Sequence, residues 1–181
     1  MKNLIVSLTT RQFAVPSVFH EVIGQRQTVG GITAISVAVI VFGFIWGAEF
    51  ARDTGWRHWL AGLLAVDIVA GAVANFTQGT NDFYAQRSGF RWGFIAIHIH
   101  LPIIGWLMGW DMAPLCLVWV GTIACACAVN LTGNRPVMGG FCLALGLTFL
   151  PKLGIDGIQL CLSAMFFLKV TYSFAVNHYA T

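Results

Sequence analysis

Four residues of this chain carry a titratable side chain inside long apolar stretches: Asp67, His98, His100 and Lys169. A charge at the centre of a bilayer costs at least about 2.5 kcal/mol on insertion scales, so such residues are usually paired or functional. A mid-membrane carboxylate can hold a proton, balance a cation or ligate a metal. An imidazole can act as general acid or base, or as a ligand. Asp67, His98 and His100 are therefore the expected catalytic or proton-handling residues. Lys169 lies past the middle of its apolar stretch. It either snorkels to the surface or neutralises Asp67, and its face also carries Tyr172 and Ser173.

On a helix turning about 100° per residue, Gly71, Gln78, Asn81 and Asp82 fall within about 60° of Asp67, with Asn75 flanking at about 80°. A helix continuing past Phe76 would present a polar stripe from mid-membrane to the surface. Asn75, Gln78, Asn81, Asp82 and Lys169 are accordingly the expected substrate-binding residues. His98 and His100 are two apart, so on a regular helix they point about 160° from one another and cannot face one site. His98 shares its face with Arg91, Pro102, Gly105 and Gly109, a pattern that admits close helix packing, and is the expected inward-facing histidine. Pro102 lacks the N–H that would bond the His98 carbonyl, which predicts a kink there. In an antiparallel pair of spans, Asp67 and the two histidines lie within about one turn of each other in depth.

The elements that must position these residues follow from composition. The 181 residues are 57% hydrophobic and 9% charged, against roughly 25% charged in an average soluble domain, and mean hydropathy is +0.77. A soluble globule this small could not hide so much apolar surface, and disorder needs the opposite composition. The expected fold is all-α, a polytopic integral membrane helical bundle of about six transmembrane helices. Apolar stretches run over about 30–49, 59–76, 92–110, 112–129, 137–150 and 158–176. The fifth, bounded by Pro136 and Pro151, is short for a hydrocarbon core roughly 30 Å thick. It either recruits Pro151 and Lys152 or is re-entrant. Gly43 and Gly47 in the first stretch give a small-xxx-small face.

Residues 1–28 form an N-terminal cytoplasmic or interfacial segment, and 29–181 a single transmembrane domain. Pro16 opens a short helix whose Val18, Phe19, Val22 and Ile23 make one apolar face for the membrane interface, with His20 and Glu21 toward the headgroups. The stretch after Lys2 is too short for a signal peptide, so the chain reads as complete and uncleaved. Lys2, Arg11, Arg26, Arg87, Arg91 and Arg135 fall on one side of a six-span layout, and Arg52, Arg57 and Lys152 on the other. That bias places both termini in the cytoplasm of a multi-pass cell-membrane protein.

Cys116, Cys125, Cys127, Cys142 and Cys161 sit in apolar runs without a CxxC and read as packing residues. No basic run or nucleic-acid motif occurs, so nucleic acid is not an expected partner. HExxH, GxSxG and phosphate-loop motifs are missing. No cofactor is indicated, and the residue types leave metal binding open. The bilayer is the expected partner, together with a small-molecule or lipid substrate and either further copies of the chain or a membrane complex. Three functions fit: transport of a small cation or polar solute through the Asp/His centre, a membrane-embedded enzyme acting on a lipid or isoprenoid, and a non-catalytic subunit of a larger complex.

Overall fold

The computed structural model describes residues 9–51, 55–85 and 87–179, without the side chains of Glu21 and Ser88. Lys2 and Arg52, which enter the charge count, and the Glu21 side chain lie outside the described residues. The fold is an all-α bundle. Six segments are long and apolar enough to cross a bilayer, as in a multi-pass membrane protein: Val29–Glu49, Trp56–Ala74, Gly89–Met108, Met112–Leu131, Arg135–Leu153 and Gly157–Phe174.

The N-terminal segment is more built than its sequence suggests. β1 (Gln12–Ala14) pairs antiparallel with β2 (Arg26–Thr28), and between them lie a 3₁₀ turn (Ser17–Phe19) and the short α1 (His20–Ile23). Of the expected apolar face, Val18, Phe19 and Val22 are exposed and Ile23 is half-buried. His20, expected to face the headgroups, instead has its Nε2 on the Val15 carbonyl at 2.8 Å. The buried Gln27 ties the hairpin to the bundle by donating from Nε2 to Thr77 Oγ1 at 2.9 Å. A Cβ on Gly79 would collide with the Arg26 carbonyl, and one on Gly24 with Gly79. Only glycine allows the two backbones to meet there.

The first crossing, α2 (Val29–Glu49), is capped by Thr28, whose side chain accepts from Gly31 N at 3.0 Å. It packs mainly on α3 (Trp56–Ala74). Gly43 and Gly47 do not mediate that contact, since a Cβ on either would meet nothing within 4 Å. Gly62 of α3 does, lying against Trp46.

α3 ends at Ala74, earlier than the polar stripe requires. Thr77 Oγ1 turns back to the Ala74 carbonyl at 2.7 Å, and a separate helix, α4 (Gln78–Ala85), follows. The third crossing is two helices, α5 (Ser88–Ile97) and α6 (His100–Met108). α7 (Met112–Leu131) starts at Asp111, whose carboxylate accepts from Ala113 N.

The fifth crossing is α8 (Arg135–Phe149), with Pro136 in its first turn, continued by a 3₁₀ turn over Leu150–Leu153. Pro151 and Lys152 therefore belong to it, and the segment reaches spanning length. The last crossing, α9 (Gly157–Phe167), widens into a π-helix over Leu168–Phe174. It occupies the middle of the bundle against α3, α7 and α8, and 50% of it is buried compared with 11% for α2. The five cysteines are free, and Cys142 is buried in a cluster with Val129 and Val176.

Candidate functional site

The interruption between α5 and α6 brings the two histidines together. His98 leaves the helical region at ψ 72°, and Ile99 follows at φ −107°, ψ 12°. Pro102 supplies no N–H to the His98 carbonyl. That oxygen is taken instead by the Trp119 indole, which donates from Nε1 at 2.8 Å across from α7. The expectation that the histidines point apart assumed a regular helix. With the helix broken, their ring centroids lie 5.3 Å apart, and both line one cavity with Asp67, Gly71, Asn75 and Lys169.

Lys169 does not snorkel. It is 3% exposed, and its Nζ donates to Asp67 Oδ2 at 2.8 Å and to the Asp67 carbonyl at 3.2 Å. Gly71, one turn along α3, makes room for it: a Cβ there would overlap Lys169 Cε and come within 2.8 Å of Nζ. The π-helix begins beside this lysine. Such a segment bonds each carbonyl to the N–H five residues on, and it recurs at functional sites. Side chains add further donors along it and past its end. Ser173 Oγ and Asn75 Nδ2 both donate to the Lys169 carbonyl, at 2.9 and 3.5 Å. Arg91 reaches the Phe174 carbonyl, and Asn81 the Val176 carbonyl, each at 3.2 Å.

A single hydrogen bond fixes the His98 tautomer. His98 Nδ1 contacts the Phe94 carbonyl. A carbonyl only accepts, so Nδ1 bears the proton, and in the neutral ring Nε2 carries the lone pair. His98 is 2% exposed and its Nε2 has no partner. His100 Nε2 lies 3.6 Å from Asp67 Oδ2, an ion-pair contact rather than a hydrogen bond. With a proton on Nε2 toward the carboxylate, His100 Nδ1 carries the lone pair, and it too is buried without a partner. A pair of unpartnered buried acceptors in one site is costly, by roughly 1–3 kcal/mol each.

The cavity holds about 210 Å³. Below it, on the side away from the N-terminal hairpin, Ala61, Ala65, Leu101, Ile104 and Leu115 are fully buried and close the bundle. Val22 of α1 reaches its rim. On its flank it shares Tyr84, Phe94 and Ile97 with an apolar groove of about 420 Å³ that runs along α5 past Gly89, Phe90 and Gly93.

The structure thus gathers Asp67, His98, His100, Asn75 and Lys169. It does not bring in the rest of the stripe. Gln78 is exposed, Asp82 is half-buried on α4, and Asn81 serves the Val176 carbonyl. Trp119, Gly71 and Phe94 belong to the site but carry no charge, and their roles rest on contacts between helices that no spacing encodes. Among the described residues, no three His, Cys, Asp or Glu side chains are grouped to share a metal ion. The Lys169 ammonium on Asp67 Oδ2 would also repel one. Compared with protein-family models, curated proteins and solved structures, the chain matches none.

Proposed function

We propose that this chain is a membrane-embedded enzyme performing acid–base chemistry on a lipid or isoprenoid substrate. The observation that carries the reading is a pair of histidines, each with one buried unpartnered nitrogen, that line one cavity with the Asp67–Lys169 ion pair. Most buried side-chain polar atoms have a hydrogen-bond partner, and these two are among the few described ones that do not. Here His98 Nδ1 is anchored on the Phe94 carbonyl and His100 Nε2 lies 3.6 Å from the Asp67 carboxylate, while the other nitrogen of each ring is buried without a partner. Anchoring of that kind fixes the tautomer and presents a base. His98 is the general base, and His100, oriented by Asp67, is the second acid–base group. Lys169 holds the carboxylate in place, and Asn75 orients the π-helix carbonyl beside it. On proton transfer an O–H bond of the substrate breaks, its electron pair stays on oxygen, and an N–H bond forms at His98 Nε2. The resulting imidazolium lies in the same cavity as the Asp67 carboxylate.

The test is an unbiased comparison of lipids after incubating wild-type protein or H98N with membrane lipid extract. Asparagine keeps a donor for the Phe94 carbonyl and deletes Nε2. A lipid consumed by wild type at a rate falling 10²- to 10⁴-fold in H98N, the usual range for a lost acid–base group, supports the reading. Identical lipid profiles in a folded H98N overturn it.

Transport of a small solute draws on a separate observation: the cavity is open at its rim and flank and closed below by packed apolar side chains. Flux into protein-loaded vesicles that disappears in H98N, without any lipid conversion, would favour transport.

A further inference from the structure

We infer that Arg91 and Arg135 hold the phosphate of an anionic phospholipid at the end of the bundle that carries the N-terminal hairpin. The site lies apart from the Asp67–Lys169 pair and is independent of any chemistry at the histidines.

Arg91 is a cation held inside the fold without a counter-ion. The residue is 5% exposed, and its Nη2 donates to the Phe174 carbonyl at 3.2 Å. Among the described residues, no carboxylate forms an ion pair with Arg91 or Arg135. The charge within electrostatic reach of Arg91 is another guanidinium, that of Arg135. The two meet because they flank the same end of the last crossing. Arg91 reaches Phe174 from α5, and Gly139, one turn beyond Arg135 on α8, lies against Tyr172 and Val176. Two like charges drawn together out of bulk water are unfavourable, and an anion between them relieves both the repulsion and the missing pairing.

Donors for such an anion are in reach. Arg91 Nη1 makes no hydrogen bond among the described residues, and it is not shut off from the surface as Nε is. Arg135 is half-buried and opens α8, whose N-terminal dipole adds positive potential on the same side. Guanidinium forks match the oxygens of a phosphate. Depth and charge point to a lipid as its source. Arg91 lies in the first turn of the third crossing and Arg135 begins the fifth, which is the level of the headgroups rather than of the hydrocarbon. Arg11, Arg26 and Arg87 lie at the same end, where the acidic side chains are Glu21 and Asp82. Basic sites between crossings at such an end take anionic headgroups, and a zwitterionic headgroup leaves the charge uncompensated.

The experiment is native mass spectrometry of the full chain in a neutral detergent, with dioleoylphosphatidylglycerol and dioleoylphosphatidylcholine supplied in equal amounts. Wild type should retain the phosphatidylglycerol in preference. Arg135→Gln should lower that retention about fivefold, the effect of one cation near an anionic surface, and leave phosphatidylcholine retention unchanged. Arg91→Gln keeps a donor for the Phe174 carbonyl and should do the same. Position 135 is half-buried at a helix start, so R135Q gives a folded protein even if R91Q does not. Arg26→Gln removes the same charge from an exposed side chain at the same end and should change nothing. Equal retention of the two lipids by wild type would overturn the proposal. So would unchanged retention in folded R135Q, or a loss in R26Q as large as in R135Q, which would reduce the effect to net charge. Inorganic phosphate that displaces phosphatidylglycerol at equal concentration would assign the arginines to a free anion and overturn the lipid.

Discussion

Lys169 Nζ lies 2.8 Å from Asp67 Oδ2, joining two residues 102 positions apart through an ion pair whose partners differ in burial: 4% of the lysine side chain is exposed, against 43% for the aspartate. The two deletions should therefore be unequal. D67N leaves a buried ammonium with uncharged acceptors only, and should cost about 3 kcal/mol, the low end for uncovering a buried charge. K169M leaves a half-exposed carboxylate that solvent can reach, and should cost about 1 kcal/mol. The double variant D67N/K169M should recover most of the loss, because neither charge remains. Chemical unfolding in mild detergent measures all three. Equal costs for the singles, or strict additivity in the double, would remove the pair from the account of stability.

The break at His98 and Ile99 depends on one missing donor. P102A returns an N–H beneath the His98 carbonyl, allowing a regular helix to run from α5 into α6. Two residues of regular helix then place His98 and His100 about 160° apart, so only one can remain in the cavity. P102A should keep or slightly raise stability, since alanine is the better helix former, while lowering the lipid conversion of the proposed enzyme at least tenfold. W119F acts on the same carbonyl from the other side. It leaves that oxygen without its donor and should cost about 1–3 kcal/mol. A P102A protein that converts lipid as fast as wild type would show that the helix break does not assemble the site.

The bundle, its six crossings and the depth match between Asp67 and the histidines are legible in the sequence, because apolar run length and charge placement are local properties. Two features were not. The hairpin of β1 and β2 has no alternating strands to announce it, and it docks on α4 because Gly24 and Gly79 let two backbones touch. The meeting of His98 and His100 was hidden because helical periodicity was extended through Pro102. The proline signalled a kink, but the size and direction of the turn depend on Trp119 arriving from α7. The stripe failed for a related reason. Thr77 ends α3, so Gln78 and Asp82 fall on a different axis from Asp67.

Gly71 is the small residue on which the ion pair depends most directly. A side chain there must displace Lys169, whose Cε and Nζ occupy the space. G71A should be tolerated only with a shift of the lysine, and G71V should cost about 1–3 kcal/mol as an overpacked position. Both should loosen the ammonium from Asp67. The check is acylation of Lys169 by a membrane-permeant reagent, followed by mass spectrometry. Labelling should rise from wild type to G71A to G71V. Equal labelling in all three would mean that the lysine is held by something other than the space above Gly71.

The C-terminal residues should respond to acid through His178. Its ring packs against Phe76 and Tyr172 with centroids 4.8 and 5.4 Å away, its Nε2 lies 3.2 Å from the Ser173 carbonyl, and Tyr179 Oη donates to the Phe76 carbonyl at 2.8 Å. Burial holds the His178 pKa below its ordinary 6.5, with backbone carbonyls opposing in part. The folded ring is thus harder to protonate than the released one. The stability contributed by this contact is fully present above pH 6.5 and declines as pH falls from there toward the lowered folded value. Hydrogen exchange over residues 176–179, corrected for intrinsic rates, should be slower at pH 7.5 than at pH 5. H178F keeps a ring between Phe76 and Tyr172 and removes the titration, so its protection should be the same at both values. Acid-induced loss of protection in H178F equal to that of wild type would assign the effect to another group.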